Sequence, residues 1–190
     1  AAGKPVIVIS DSGSVIETAS WSGYPDAILC AWQPGMEGGN SIADLLTGKV
    51  NPSGKLTMTW PIAATDHAST KNFPGQIDDY SLQQMIGNKT PIPGHAYTNH
   101  EEDIYVGYRY FDTFGRDVAY PFGFGLSYTT FAFSKPVVKA TGKDAVEVSI
   151  TVKNTGSVSG KEVAQVYVKA PKGNLEKPAK ELLADRKSVV

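Results

Sequence analysis

Cysteine is almost missing from this 190-residue chain. Cys30 is the single one, so no internal disulfide can form and a disulfide scaffold is excluded. The compartment stays open, because many secreted proteins lack disulfides. An excess of either charge is also lacking: 18 Lys and Arg stand against 19 Asp and Glu, for a net charge of −1. Without a basic excess there is little to attract a phosphate backbone or an acidic membrane, so neither is expected as a partner. Long apolar runs are absent too. Val6 to Ile9 and Ala27 to Trp32 are the longest, against about 20 residues for a membrane-spanning helix. The chain begins Ala-Ala-Gly-Lys-Pro, with no initiator Met and no signal-type pattern. Residue 1 is therefore expected to lie within a longer gene product.

What the sequence does contain is enough apolar material for a core. Hydrophobic residues make up 41%, which excludes a wholly disordered chain. Nineteen glycines and 12 prolines predict many turns.

Three zones differ in pattern. In residues 1–60, Pro5 to Ser10 and Asp26 to Trp32 are short apolar runs that read as strands of a parallel sheet. Ser14 to Ser20 between them is long enough for a short helix. Ser41 to Thr47 places Ile42, Leu45 and Leu46 on one helical face, with Asn40 or Ser41 as cap and Gly48 as terminator. Lys55 to Trp60 alternates as a third strand. The order predicts half of an α/β layered unit. Residues 61–125 are irregular and broken by proline, yet 12 of the 19 aromatic residues fall between Tyr97 and Phe133. So many rings predict a connector wrapped against other surfaces rather than a free tether. Residues 126–190 read as β: Val146 to Lys153 alternates, Val163 to Ala170 follows, and Asn154-Thr155-Gly156 with Ser159-Gly160 marks the loop. That pattern suggests an incomplete immunoglobulin- or fibronectin-type sandwich.

Several short motifs invite chemistry, and each has an ordinary structural reading. Ser10-Asp11-Ser12-Gly13-Ser14 follows a strand, where backbone N–H groups can bind phosphate, but it lacks a dinucleotide glycine pattern. Gly48 to Lys55 has the wrong spacing for a phosphate loop, and Leu56 stands where a magnesium-binding hydroxyl is required. His67, His95 and His100 show no metal-ligand spacing. His100-Glu101-Glu102-Asp103 is the densest carboxylate cluster, but adjacent side chains diverge and seldom converge on one substrate atom. Trp32 to Gly39 sits at the carboxyl end of a strand, where ligands gather in open α/β sheets, and Glu37 could serve there or at a helix start. Asn88-Lys89-Thr90 fits the N-glycosylation triplet, which matters only in a eukaryotic secreted protein.

Taken in order, the motifs resemble glycoside hydrolase family 3. The run Asp26 to Gly39, then Asn51-Pro52-Ser53-Gly54-Lys55-Leu56-Thr57 and Trp60-Pro61, resembles that family's second domain. Ile104 to Asp112 and Tyr120 to Phe131 resemble its connector, and Val152 to Gly156, Gly160 to Tyr167 and Lys177 to Leu182 its fibronectin type III-like domain. The β-glucosidase branch shows the best likeness. The resemblance implies an α/β (partial parallel-sheet) sandwich portion at 1–60, a connector at 61–125 and the start of a fibronectin type III-like domain at 126–190. It also implies retaining hydrolysis of terminal, non-reducing β-D-glycosyl residues by a carboxylate nucleophile and a carboxyl acid/base. Neither of those has a matching position here, so no catalytic, cofactor or metal residue is assigned, and Glu37 and Glu102 match neither role. The chain is expected to be inactive alone and to pack, through residues 1–130, on the barrel-containing N-terminal portion as a separate chain. Two other readings compete: a non-catalytic module binding carbohydrate or protein through open aromatic faces, and a phosphate-binding protein using Ser10 to Ser14. Burial of Tyr105, Tyr108, Tyr110 and Phe111 would favour the connector over the open module.

Overall fold

A computed structural model describes residues 3–73, 76–77 and 96–190. Among them lie two α-helices, two short 3-10 turns and twelve short strands paired as six two-stranded sheets. The architecture is thus mostly small sheets with few helices. One parallel pair stands near the N-terminus and antiparallel pairs dominate the C-terminal half.

Strand β1 (Ile7–Ser10) pairs in parallel with β2 (Ala27–Cys30). The pairing is framed by Asp26, whose carboxylate accepts the Val6 N–H at 2.7 Å, and by the Ala31 N–H, which donates to the Ser10 carbonyl at 2.8 Å. The helix expected at Ser14 to Ser20 does not form. Residues 18–26 turn instead, with Trp21 and Ser22 both donating to the Thr18 carbonyl. The cause is local: the Glu17 carboxylate accepts from the Ser20 N–H and hydroxyl, and Val15, Ile16 and Thr18 are poor helix formers.

Helix α1 (Gly38–Leu46) starts three residues earlier than the pattern predicts, and neither Asn40 nor Ser41 caps it. Asn40 instead donates to the Glu37 carboxylate at 2.7 Å. Only glycine fits position 38, since a Cβ there would lie 2.6 Å from the Pro34 ring. Gly48 ends the helix as expected, at φ +75°, with its N–H on the Leu45 carbonyl.

The strand expected over Lys55 to Trp60 is reduced to β3 (Trp60–Pro61), which later meets β6 (Val118–Tyr120). Leu56 nevertheless exchanges backbone hydrogen bonds with Gly123 and Phe124 at 2.8 Å each. Two 3-10 turns follow at Ala64–Asp66 and Ala68–Asn72. The pair β4 (Gln76–Ile77) and β5 (Ala96–Tyr97) then leads into the aromatic stretch. There, within the stretch read as an irregular connector, the chain forms a helix, α2 (Tyr108–Thr113). Gly107, at φ +55°, turns the chain into it, and a helical turn gathers Tyr108, Tyr110 and Phe111 more tightly than alternation would.

The last segment holds β7 (Phe131–Phe133), β8 (Val137–Ala140), β9 (Val146–Ser149), β10 (Val152–Asn154), β11 (Lys161–Val168) and β12 (Glu181–Val189). The single strand expected over Val146 to Lys153 is split into β9, paired with β8, and β10, paired with β7. Pro136 explains the split. It offers no N–H between β7 and β8, and Ser134 bridges the gap by accepting from and donating to Thr151. The sheet β11–β12 is the longest, with a bulge at Val166/Tyr167.

Candidate functional site

Where the segments meet, aromatic rings form a continuous column. The Trp32 and Trp60 centroids lie 6.1 Å apart, Trp60 and Tyr120 6.0 Å, and Tyr120 and Phe124 5.1 Å. Beside it Tyr108 packs on Phe122 at 4.9 Å and on Tyr167 at 5.8 Å, and Phe111 meets His67 at 5.7 Å. Trp60 and Phe111 are the only large apolar residues below a tenth exposure among the described ones. Tyr105, Tyr108 and Tyr110 are half-buried. Tyr105, Tyr108, Tyr110 and Phe111 thus serve as packing groups, while Phe114 and Phe124 stay exposed.

α2 is tied to the start of β12 and to the residues just before it. Tyr108 accepts the Leu182 N–H at 2.8 Å, Thr113 accepts the Ala179 N–H at 2.9 Å, and Asp112 pairs with Lys180 at 3.0 Å. Tyr105 donates to Glu176 at 3.4 Å; burial, then that carboxylate, raises its phenol's pKa. A cavity of about 40 Å³ between Thr59, Phe111, Phe122, Tyr167 and Lys180 has room for water, not for a sugar ring.

The motif residues scatter into local roles. Ser12 closes a small turn with Ser14, accepting its N–H at 3.3 Å, and no helix follows to aim N–H groups at a phosphate. Lys55 is held by Glu162 at 2.9 Å. His67 meets Phe111 edge to face, and His95 lies outside the described residues, as does the Asn88–Thr90 triplet. The carboxylate cluster splits: Glu101 pairs with Lys71 at 2.9 Å, while Glu102 faces His100 at 3.2 Å and Asn72 at 3.2 Å. The Glu102 side chain is 7% exposed, and its pKa is lowered first by its own backbone N–H and then by His100. The two carboxylates therefore have separate partners. Cys30 is half-buried, and burial raises its thiol pKa against the smaller opposing effect of the Trp32 N–H. Among the described residues no three His, Cys, Asp or Glu side chains group as a metal site. No described helix is long and apolar enough to cross a membrane.

What is conspicuous is uncovered apolar surface. Val6, Ile7 and Ile9 along β1, Met36 at a loop tip, and Leu46 and Val50 around the end of α1 are all exposed. A parallel strand is ordinarily covered on both faces.

The glycosyl hydrolase family 3 C-terminal domain profile matches residues 1–128. The chain belongs to glycoside hydrolase family 3. Among solved structures, the β-glucosidase 3B of Thermotoga neapolitana, in complex with glycerol, is 46% identical with a TM-score of 0.85, over 98% of this chain and 24% of that one. The curated β-glucosidase A of Butyrivibrio fibrisolvens is 42% identical, over 93% of this chain and 21% of the relative. An exo-α-(1→6)-L-arabinopyranosidase of Bifidobacterium longum is 38% identical, over 96% of this chain and 22% of the relative. This family 3 chain thus spans about a fifth of the length of the curated relatives it matches. That resemblance was legible in the sequence. The helix α2 was not, because the residues that fix it, Glu181 and Leu182 among them, lie some seventy positions further along the chain.

Proposed function

We propose that these residues are the C-terminal portion of a retaining, β-glucosidase-type glycoside hydrolase whose nucleophile and acid/base lie on polypeptide outside the 190 residues. The observation that carries this reading is the likeness to the Thermotoga β-glucosidase over 98% of this chain but 24% of that one. The scattered carboxylates support it, since retaining hydrolysis needs two carboxyl groups about 5–5.5 Å apart across one bond. Glu101 and Glu102 are instead committed to Lys71, His100 and Asn72.

In this reading residues 1–60 are the end of an α/β sandwich, 61–125 the connector, and 126–190 the start of a fibronectin type III-like domain. The parallel pair β1–β2 and the antiparallel pairs after Phe131 support that division. The exposed face around β1 packs on the remaining, barrel-containing portion, whether joined in one chain or supplied as a second. The substrate is a terminal β-D-glycoside, and its sugar is chosen by the remaining portion, since relatives of similar identity include both β-glucosidases and an arabinopyranosidase. Co-expression with the upstream part of such an enzyme, followed by native mass measurement, tests the packing. A one-to-one complex is expected. A stable, monodisperse 190-residue monomer that ignores the upstream part would count against it.

A further inference from the structure

The segment 51–56, whose Asn-Pro-Ser-Gly-Lys run has the wrong spacing for a phosphate loop, makes a set of long-range bonds instead. The Asn51 side-chain oxygen accepts from the Ser127 hydroxyl at 2.9 Å and from the Tyr128 N–H at 2.8 Å. Its amide nitrogen donates to the Ser159 carbonyl at 3.0 Å. Four residues on, the Lys55 ammonium donates to the Gly125 carbonyl at 2.7 Å and pairs with Glu162 at 2.9 Å. This ion pair is the most enclosed of those among the described residues, with side chains 16% and 13% exposed. Glu162 also accepts its neighbour's N–H, from Val163, at 2.7 Å. The fit is close on both sides. A Cβ on Gly160 would lie 2.9 Å from the Asn51 amide nitrogen, and one on Gly125 would run into the Gly54 carbonyl. One short segment therefore grips two separate places, residues 125–128 and residues 159–162.

We propose that Asn51 and Lys55 are positioning residues of a two-point clasp that fixes β11 and β12 to the first sixty residues, so that both open as one body. The geometry explains why both residue types are needed. Asn supplies an acceptor and a donor at once, which Asp and Ala do not. Lys supplies a cation for a mostly buried carboxylate that would otherwise be left unpaired.

Hydrogen exchange read by mass spectrometry tests this on the full chain, with whatever polypeptide accompanies it. Lys55→Met keeps the aliphatic stem and removes the charge. It is expected to speed amide exchange in β11 and β12 about tenfold or more while leaving α1 and β2 unchanged. Asn51→Asp, which keeps the acceptor and loses the donor, is expected to act in the same direction on residues 159–168. Lys49→Met removes only the exposed pair with Asp44 and is expected to change neither region. Equal acceleration everywhere in both clasp variants would show ordinary global destabilisation and overturn the clasp, as would unchanged exchange in β11 and β12. Should Lys55→Met fail to fold, the regional pattern in Asn51→Asp decides alone.

Discussion

Trp32 holds its backbone at φ +53° while its ring meets the buried Trp60 edge to face, centroids 6.1 Å apart. A bulky residue at positive φ is costly, by about 1–3 kcal/mol where the conformation is sparsely populated. Ring packing offsets that cost and directs the loop that follows. Glycine should then be the better small replacement. Trp32→Gly and Trp32→Ala both lose the ring, but only glycine relieves the backbone. Thermal unfolding is expected to give the Gly variant the higher Tm, reflecting a stability difference of about 1 kcal/mol. The usual order, Ala above Gly, would contradict the strain.

Among the described residues, Phe111 and Trp60 mark where apolar burial is most complete. Phe111→Ala is expected to cost about 3–5 kcal/mol by denaturant titration. Met36→Ala, at a fully exposed tip, is expected to change stability by less than about 0.5 kcal/mol in the chain alone. Similar losses at both positions would mean that the packing described around α2 is wrong.

Much of this organisation was legible in the sequence because it is local. Alternation marked β11, the apolar runs marked β1 and β2, and Gly48 marked the end of α1. The misreadings share one cause, competition from contacts the local pattern does not carry. Glu17 and Ser20 hydrogen-bond locally and replace the helix expected at 14–20. Pro136 lies on the facing segment and divides the strand expected at 146–153. Tyr108, Arg109 and Asp112 are drawn into a helix whose side chains meet Leu182, Glu181 and Lys180 some seventy residues later.

The Glu102 carboxylate, held below the usual range by its own N–H and by His100, makes a pH prediction with a definite sign. A carboxyl whose folded pKa is depressed stabilises fully above its unfolded pKa, about 4.3, and that contribution fades as pH falls through the lower folded value. Tm measured across acid pH should therefore fall more steeply for the native chain than for Glu102→Gln. Equal slopes would show that this carboxylate is not linked to folding.

Cys30 should be slow to react. Burial raises its thiol pKa, so little thiolate is present at neutral pH. Alkylation followed by mass spectrometry is expected to be slow in the folded chain and to reach the free-cysteine rate in urea. Rapid modification of the folded chain would contradict the half-buried placement beside β1.

The uncovered strand β1 and the divided carboxylates meet in one assay, release of the aryl group from an aryl β-glucoside. The 190-residue chain alone is expected to release none above buffer, and the chain assembled with the barrel-containing portion is expected to turn over. Sustained turnover by the isolated chain would place the reacting carboxylates within these residues and contradict the account.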